Sequence, residues 1–204
     1  MKKIAVFASG GGTDFQSIID ANLRENFCQI EYLVASKPNI GAINRAEKHG
    51  IKPLVFDKTQ ETKEEFYVRV AKTLKESGVE YIVLAGWLLV VPASFIAEFE
   101  NAIINIHPSL IPAFCGMGYY GLRVHQAAID YGVKLSGATV HFVEADVDGG
   151  AILMQRSVPV EADDTAESLQ ARILKEEHKM LPECVKALCE DRVIRKGRTV
   201  EIIK

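Results

Sequence analysis

Five short runs rich in aliphatic residues, at 4–8, 30–35, 52–56, 81–85 and 102–107, alternate with stretches of helical periodicity at 14–25, 41–49, 61–77 and 92–99. No other property narrows the fold so much. Strand, helix, strand in that order requires a crossover over the face of a sheet. Successive crossovers of one hand give parallel strands with helices on both faces. The expected class is α/β, a mostly parallel twisted sheet of Rossmann-like type. Residues 108–122 read as a loop with three glycines, two tyrosines and two prolines. A helix at 123–131 follows, then strands at 135–143 and 152–159 around an acidic loop, Glu144 to Gly150. Residues 165–190 read as a long helix bent at Pro182, and Arg192 to Ile203 as a small hairpin turning at Lys196-Gly197. No repeat, low-complexity tract or linker interrupts this order, so a single domain over 1–204 is expected.

Composition sets the medium. Hydrophobic residues make up 48% of the chain, net charge is −3 and the pI is about 6.0. That balance argues against a polyanion partner such as nucleic acid. No apolar run reaches the roughly 18 residues of a membrane span. Ile4 to Ala8 is too short for a signal peptide and is interrupted at once by Gly10-Gly11-Gly12, so a cytoplasmic protein is expected. Cys28, Cys115, Cys184 and Cys189 form no Cys-x-x-Cys pair, and the five histidines form no His-Glu-x-x-His. No metal and no disulfide framework is expected.

Ser9-Gly10-Gly11-Gly12-Thr13-Asp14 joins the first strand to the first helix. Glycines there let backbone N–H groups converge on an anion, and the helix N-terminus adds partial positive charge. What is missing narrows the anion. There is no Gly-Lys-Ser/Thr for a Walker loop. Phe15 stands where a dinucleotide fingerprint needs a small residue, and the second strand ends Val34-Ala35-Ser36-Lys37, without an acid for a ribose. A monophosphate fits best.

Ile103-Ile104-Asn105-Ile106-His107 places Asn105 and His107 on one face of a strand that Pro108 then ends. An amide and an imidazole side by side at a strand mouth can donate to a developing oxyanion. Asp148, before Gly149-Gly150, offers a carboxylate that would hold His107 protonated if the two were hydrogen bonded. Taken singly, each has a plain structural use: a satisfied core histidine, a capping asparagine, a turn aspartate.

Together these pieces resemble the phosphoribosylglycinamide formyltransferases, folate-dependent enzymes of purine biosynthesis. The likeness runs from Ser9-Gly10-x-Gly12 through Leu84-Ala85-Gly86-Trp87, Asn105-Ile106-His107-Pro108-Ser109-Leu110-Ile111-Pro112 and Gly137-Ala138-Thr139-Val140-His141-Phe142-Val143 to Asp148-Gly149-Gly150 and Glu177-His178. The resemblance implies the formyltransferase fold, with 10-formyltetrahydrofolate as co-substrate. It implies Asn105, His107 and Asp148 as catalytic residues. Gly11, Gly12, Thr13, Asp14 and Glu177 would bind the ribonucleotide. Lys63, Leu88, Leu89, Val90, Val91, Asn105, Glu144, Ala145, Asp146, Val147 and Asp148 would bind the folate.

The chain departs from that family at Thr13-Asp14, where Ser-Asn is usual, and at Leu174, where Lys or Gln is common. Asp14 then either caps the helix or meets the ribose hydroxyls. The asparagine–histidine signature is shared by formyl-folate enzymes that act on sugar nucleotides or release formate. Relatives acting on initiator tRNA, and the hydrolases, carry further domains for which 204 residues leave no room. A phosphate-binding module without chemistry is the reading from another class. Monomer and homodimer are both open.

Overall fold

The computed structural model describes residues 1–203. Its sheet contains β1 (Lys3–Ala8), β2 (Gln29–Ala35), β3 (Lys52–Val55), β4 (Tyr81–Leu84), β5 (Ile103–His107), β6 (Leu135–Phe142) and β7 (Ile152–Pro159). They lie in the order β3-β2-β1-β4-β5-β6-β7. The first five are parallel, while β6 and β7 pair antiparallel at one edge. The mostly parallel sheet read from the sequence is therefore present, and β4 lies between β1 and β5.

Burial follows from the apolar runs. In β1, Ile4, Val6 and Ala8 pack with α1 (Thr13–Glu25), α2 (Gly41–Lys48) and α6 (Ala166–Cys189) on one face. Ala5 and Phe7 pack with α3 (Lys63–Glu76) and α4 (Ala93–Glu98) on the other. A strand buried on both faces needs this continuous apolar sequence, with successive side chains going to opposite sides. Capping fixes two helix starts: Thr62 and Glu65 bond reciprocally ahead of α3, Thr165 and Ser168 ahead of α6. The long helix stays continuous through Pro182. Between β5 and β6 lies α5 (Leu122–Tyr131), and β8 (Val193–Lys196) pairs with β9 (Thr199–Ile202) in the expected C-terminal hairpin. All four cysteines are free.

The order of connection locates the site. From β1 the chain steps outward to β2 and β3, then returns to β4 on the other side of β1. Loops leaving the carboxyl ends of β1 and β4 therefore diverge, opening a crevice where α/β proteins bind ligands. The two loops are tied together there. Ser9 N–H donates to the Gly86 carbonyl at 3.1 Å, and Leu88 N–H to Ser9 Oγ at 2.9 Å.

Candidate active site

The glycine-rich loop leads straight into α1, whose N-cap is Gly12 in the left-handed region at φ 72°. A Cβ on Gly12 would lie 2.7 Å from Ala42 Cβ, so the glycine is required by the close approach of α2. Gly10 and Gly11 face open space instead. Arg45 reaches back from α2, its Nε donating to the Gly11 carbonyl at 2.8 Å and Nη1 to Gln16 Oε1 at 3.1 Å. A guanidinium thus sits against the loop that the sequence marks for an anion. Sequence reasoning missed it, because nothing local links a residue on the second helix to the first turn.

Thr13 is exposed, and Asp14 does not cap the helix. Its Oδ1 is buried without a hydrogen-bond partner, 3.6 Å from His178 Nε2, which is equally unpartnered. Burial pushes the Asp14 carboxyl up to about 6. Glu177, buried on α6, is raised well above the usual carboxylate range by burial and by repulsion from Asp14. Asp14 and Glu177 thus lie close enough to repel each other, on the α1–α6 side of the sheet.

At the mouth of β5, Asn105 and His107 share a face, as their spacing requires. Asn105 lies opposite His141 in the β5–β6 ladder, with Asn105 Nδ2 3.1 Å from His141 Nε2. His141 Nδ1 lies 2.8 Å from the Phe142 carbonyl, which can only accept, so Nδ1 carries the hydrogen. In the neutral ring Nε2 then has the lone pair that receives one Asn105 N–H, which leaves the other amide hydrogen uncommitted. His107 Nε2 likewise donates to the Phe114 carbonyl at 2.9 Å.

Asp148 arrives from the acidic loop with φ 54° and accepts from Gly116 N–H at 2.8 Å. Its Oδ1 is 3.5 Å from His141 Nε2, and its Oδ2 is 3.7 Å from His107 Nδ1. Asp148 stands beyond hydrogen-bond reach of His107, and although its charge raises the His107 pKa as expected, the net shift is downward. Burial dominates that shift; the bond to Phe114 and the Asp148 charge oppose it, and His141 adds to it. For Asp148 the burial effect is upward, but His141, His107 and the Gly116 N–H together outweigh it and hold the carboxyl below its ordinary value. His141 is the second residue missed: only the β5–β6 register brings it beside Asn105.

The residues expected around the folate lie along the same carboxyl edge, in separate segments. Trp87 anchors the β4 loop, packing edge-on to Phe7 at 5.1 Å and donating to the Tyr67 hydroxyl at 3.0 Å. Leu88 and Val90 are left exposed, while Leu89 and Val91 pack inward. The Val90 carbonyl accepts from Tyr67 OH at 3.3 Å. Lys63 opens α3, exposed to solvent. Ala145, Asp146 and Val147 are exposed in the acidic loop, and Glu144 is paired with Arg195. Among the described residues no three His, Cys, Asp or Glu side chains group to hold a metal ion.

Known proteins resemble this chain in sequence and in fold. Residues 2–185 match the formyl transferase family. The chloroplastic phosphoribosylglycinamide formyltransferase of Vigna unguiculata is 44% identical over 205 residues, covering 100% of this chain and 66% of the relative. The chain thus spans about two thirds of that plant protein's length. The phosphoribosylglycinamide formyltransferase of Bacillus subtilis is 38% identical over 190 residues, covering 92% of this chain and 95% of the relative. The crystal structure of glycinamide ribonucleotide transformylase 1 from Symbiobacterium toebii superposes with a TM-score of 0.91 at 37% identity, covering 100% of this chain and 95% of that one. With a matching family pattern over most of its length and a matching fold, the chain belongs to the formyl transferase family.

Proposed function

We propose that this chain transfers the formyl group of 10-formyltetrahydrofolate to the glycinamide amine of 5-phosphoribosylglycinamide, a step of purine biosynthesis, acting as one formyltransferase domain in the cytoplasm. The observation that carries the reading is the spacing of two sites on one sheet edge. The glycine-rich loop ends β1, and Asn105 and His107 end β5, with only β4 between them. Two strand spacings make roughly 10 Å, about the reach of a ribose and glycinamide between phosphate and amine.

Gly11, Gly12 and Thr13 offer backbone N–H groups to the phosphate, with Arg45 adding positive charge behind the loop. Glu177 faces the ribose, with Asp14 close to it beside the phosphate loop. The exposed side chains of Leu88 and Val90 present an apolar shelf for the flat pterin, backbone groups of 88–91 and 144–148 its hydrogen bonds, and Lys63 a cation nearby. The co-substrate supplies a formyl carbon already bonded to nitrogen.

As the amine attacks that carbon, its carbonyl oxygen gains negative charge. Asn105 donates its uncommitted amide hydrogen there. Donors of this kind typically lower a barrier by roughly 3–4 kcal/mol. His107 starts neutral, with Nε2–H committed to Phe114. Asp148 relays the proton shed by the amine, first to His107 Nδ1, where it completes a cationic donor to the oxyanion, then to the departing folate nitrogen. One C–N bond forms, one breaks, and one proton passes from amine to folate. The test is to offer the enzyme glycinamide ribonucleotide, glycinamide alone and an amino-sugar nucleotide, each with 10-formyltetrahydrofolate. Formylation of the ribonucleotide at least about a hundredfold faster than of either rival supports the reading. Preference for the amino sugar overturns it.

A further inference from the structure

The acidic loop that carries Asp148 has few internal bonds, chiefly Gly149 N–H to the Asp146 carbonyl at 3.0 Å. Gly116 N–H holds the Asp148 carboxylate at 2.8 Å, and the rest of the loop is restrained from the other end of the chain. Arg195, on β8, donates through Nη2 to Glu144 Oε1, through Nη1 to Asn101 Oδ1 at 2.7 Å, and through Nε to the Gly197 carbonyl at 2.9 Å. Its guanidinium also lies 5.0 Å from the Phe142 ring centroid. Arg198, at the hairpin turn, donates through Nη1 to the Gly149 carbonyl at 2.8 Å.

Two arginines three positions apart therefore hold the first residue of the acidic loop and the residue next to Asp148. Gly149 is fixed on both sides, its N–H by Asp146 and its carbonyl by Arg198. This matters because Asp148 occupies the left-handed region, which aspartate tolerates better than most residues but still at a cost that its surroundings must offset. Charge favours the docking as well: Arg192, Arg195, Lys196 and Arg198 lie in the hairpin segment, and Glu144, Asp146 and Asp148 in the loop.

We propose that the C-terminal hairpin is a clamp, in which Arg195 and Arg198 act as positioning residues that hold Asp148 against His107 and His141. The catalytic consequence rests on the transfer reading above; the geometric one does not. Arg198 uses a single nitrogen, so a lysine can replace it. Arg195 spreads three nitrogens over three acceptors, which a lysine cannot reproduce.

The experiment compares Arg198→Ala, Arg198→Lys, Arg195→Ala and Arg195→Lys in the full chain. The readouts are kcat, the ribonucleotide KM, and the His107 titration by NMR. The clamp predicts that Arg198→Ala lowers kcat by about tenfold or more. Its ribonucleotide KM should stay within about twofold, since only the transition-state geometry is disturbed. His107 should titrate lower still, because Asp148 no longer raises its pKa. Arg198→Lys should restore all three readouts, whereas Arg195→Lys should behave like Arg195→Ala. Native kcat and an unchanged His107 titration in Arg198→Ala would overturn the clamp, even if an Arg195 variant failed to fold. Should the native protein transfer no formyl group, the titration alone still decides the clamp.

Discussion

His107 and Asp148 face each other across 3.7 Å, nitrogen to oxygen, with no hydrogen bond between them. The gap is longer than a hydrogen bond, and the pull of the carboxylate on the ring is weaker than the cost of burying a cation there. Burial therefore controls His107, which should titrate below its ordinary 6.5. The sign follows: the ring is neutral at neutral pH and becomes cationic only as pH falls through the lowered value. Removing the carboxylate by Asp148→Asn removes an influence that raises this pKa, so the NMR titration should move lower again. A His107 pKa above 6.5 in the free enzyme would mean that Asp148 outweighs burial and holds the ring as a resting cation.

Asn105→Ala and His107→Ala should each cut kcat by about a hundredfold or more, with folate affinity little changed. Both donors matter most when the oxyanion forms, so their loss should fall on turnover. Stopped-flow turnover with a separate folate Kd by fluorescence separates the two effects. A variant that loses folate affinity and keeps kcat marks a binding residue instead.

Asp14 becomes an anion only above about 6, and an anion there opposes a phosphate bound at the adjacent loop. Replacing it by Asn should leave the ribonucleotide KM nearly unchanged below pH 6 and lower it several-fold above. The ratio of variant to native KM, measured from pH 5 to 8.5, cancels the titration of the phosphate itself. A ratio above one at high pH would mean that the carboxylate grips the ribose hydroxyls.

Gly11 and Gly12 should fail in different ways. Gly11→Ala adds a methyl group to open space at the anion site, so the ribonucleotide KM should rise about fivefold or more with an unchanged Tm. Gly12→Val drives a branched side chain into Ala42 from a left-handed backbone. It should cost about 2 kcal/mol or more, lowering Tm by several degrees. Calorimetry beside kinetics distinguishes the two; a stable Gly12→Val with a selective KM defect would show that its side chain points into the anion site.

Much of this was legible in local pattern. Alternating apolar runs and helical periods gave the order of elements, and the two-residue period of β5 put Asn105 with His107. What stayed hidden depends on register and on return paths. His141 meets Asn105 only because β6 runs antiparallel at one register, and Arg45 meets Gly11 only because α2 folds back on the loop. The direction of the His107 shift was hidden for a different reason: a sequence shows a carboxylate partner but not the burial that outweighs it.

Formyl transfer, unlike hydrolysis, needs the amine. The most direct measurement follows tetrahydrofolate release from 10-formyltetrahydrofolate, with and without glycinamide ribonucleotide. A transferase releases tetrahydrofolate only when the ribonucleotide is present, one formylated ribonucleotide appearing per folate released. Release at the same rate without the amine would mean hydrolysis to formate, and no release under either condition would leave a phosphate-binding module; either result contradicts the account.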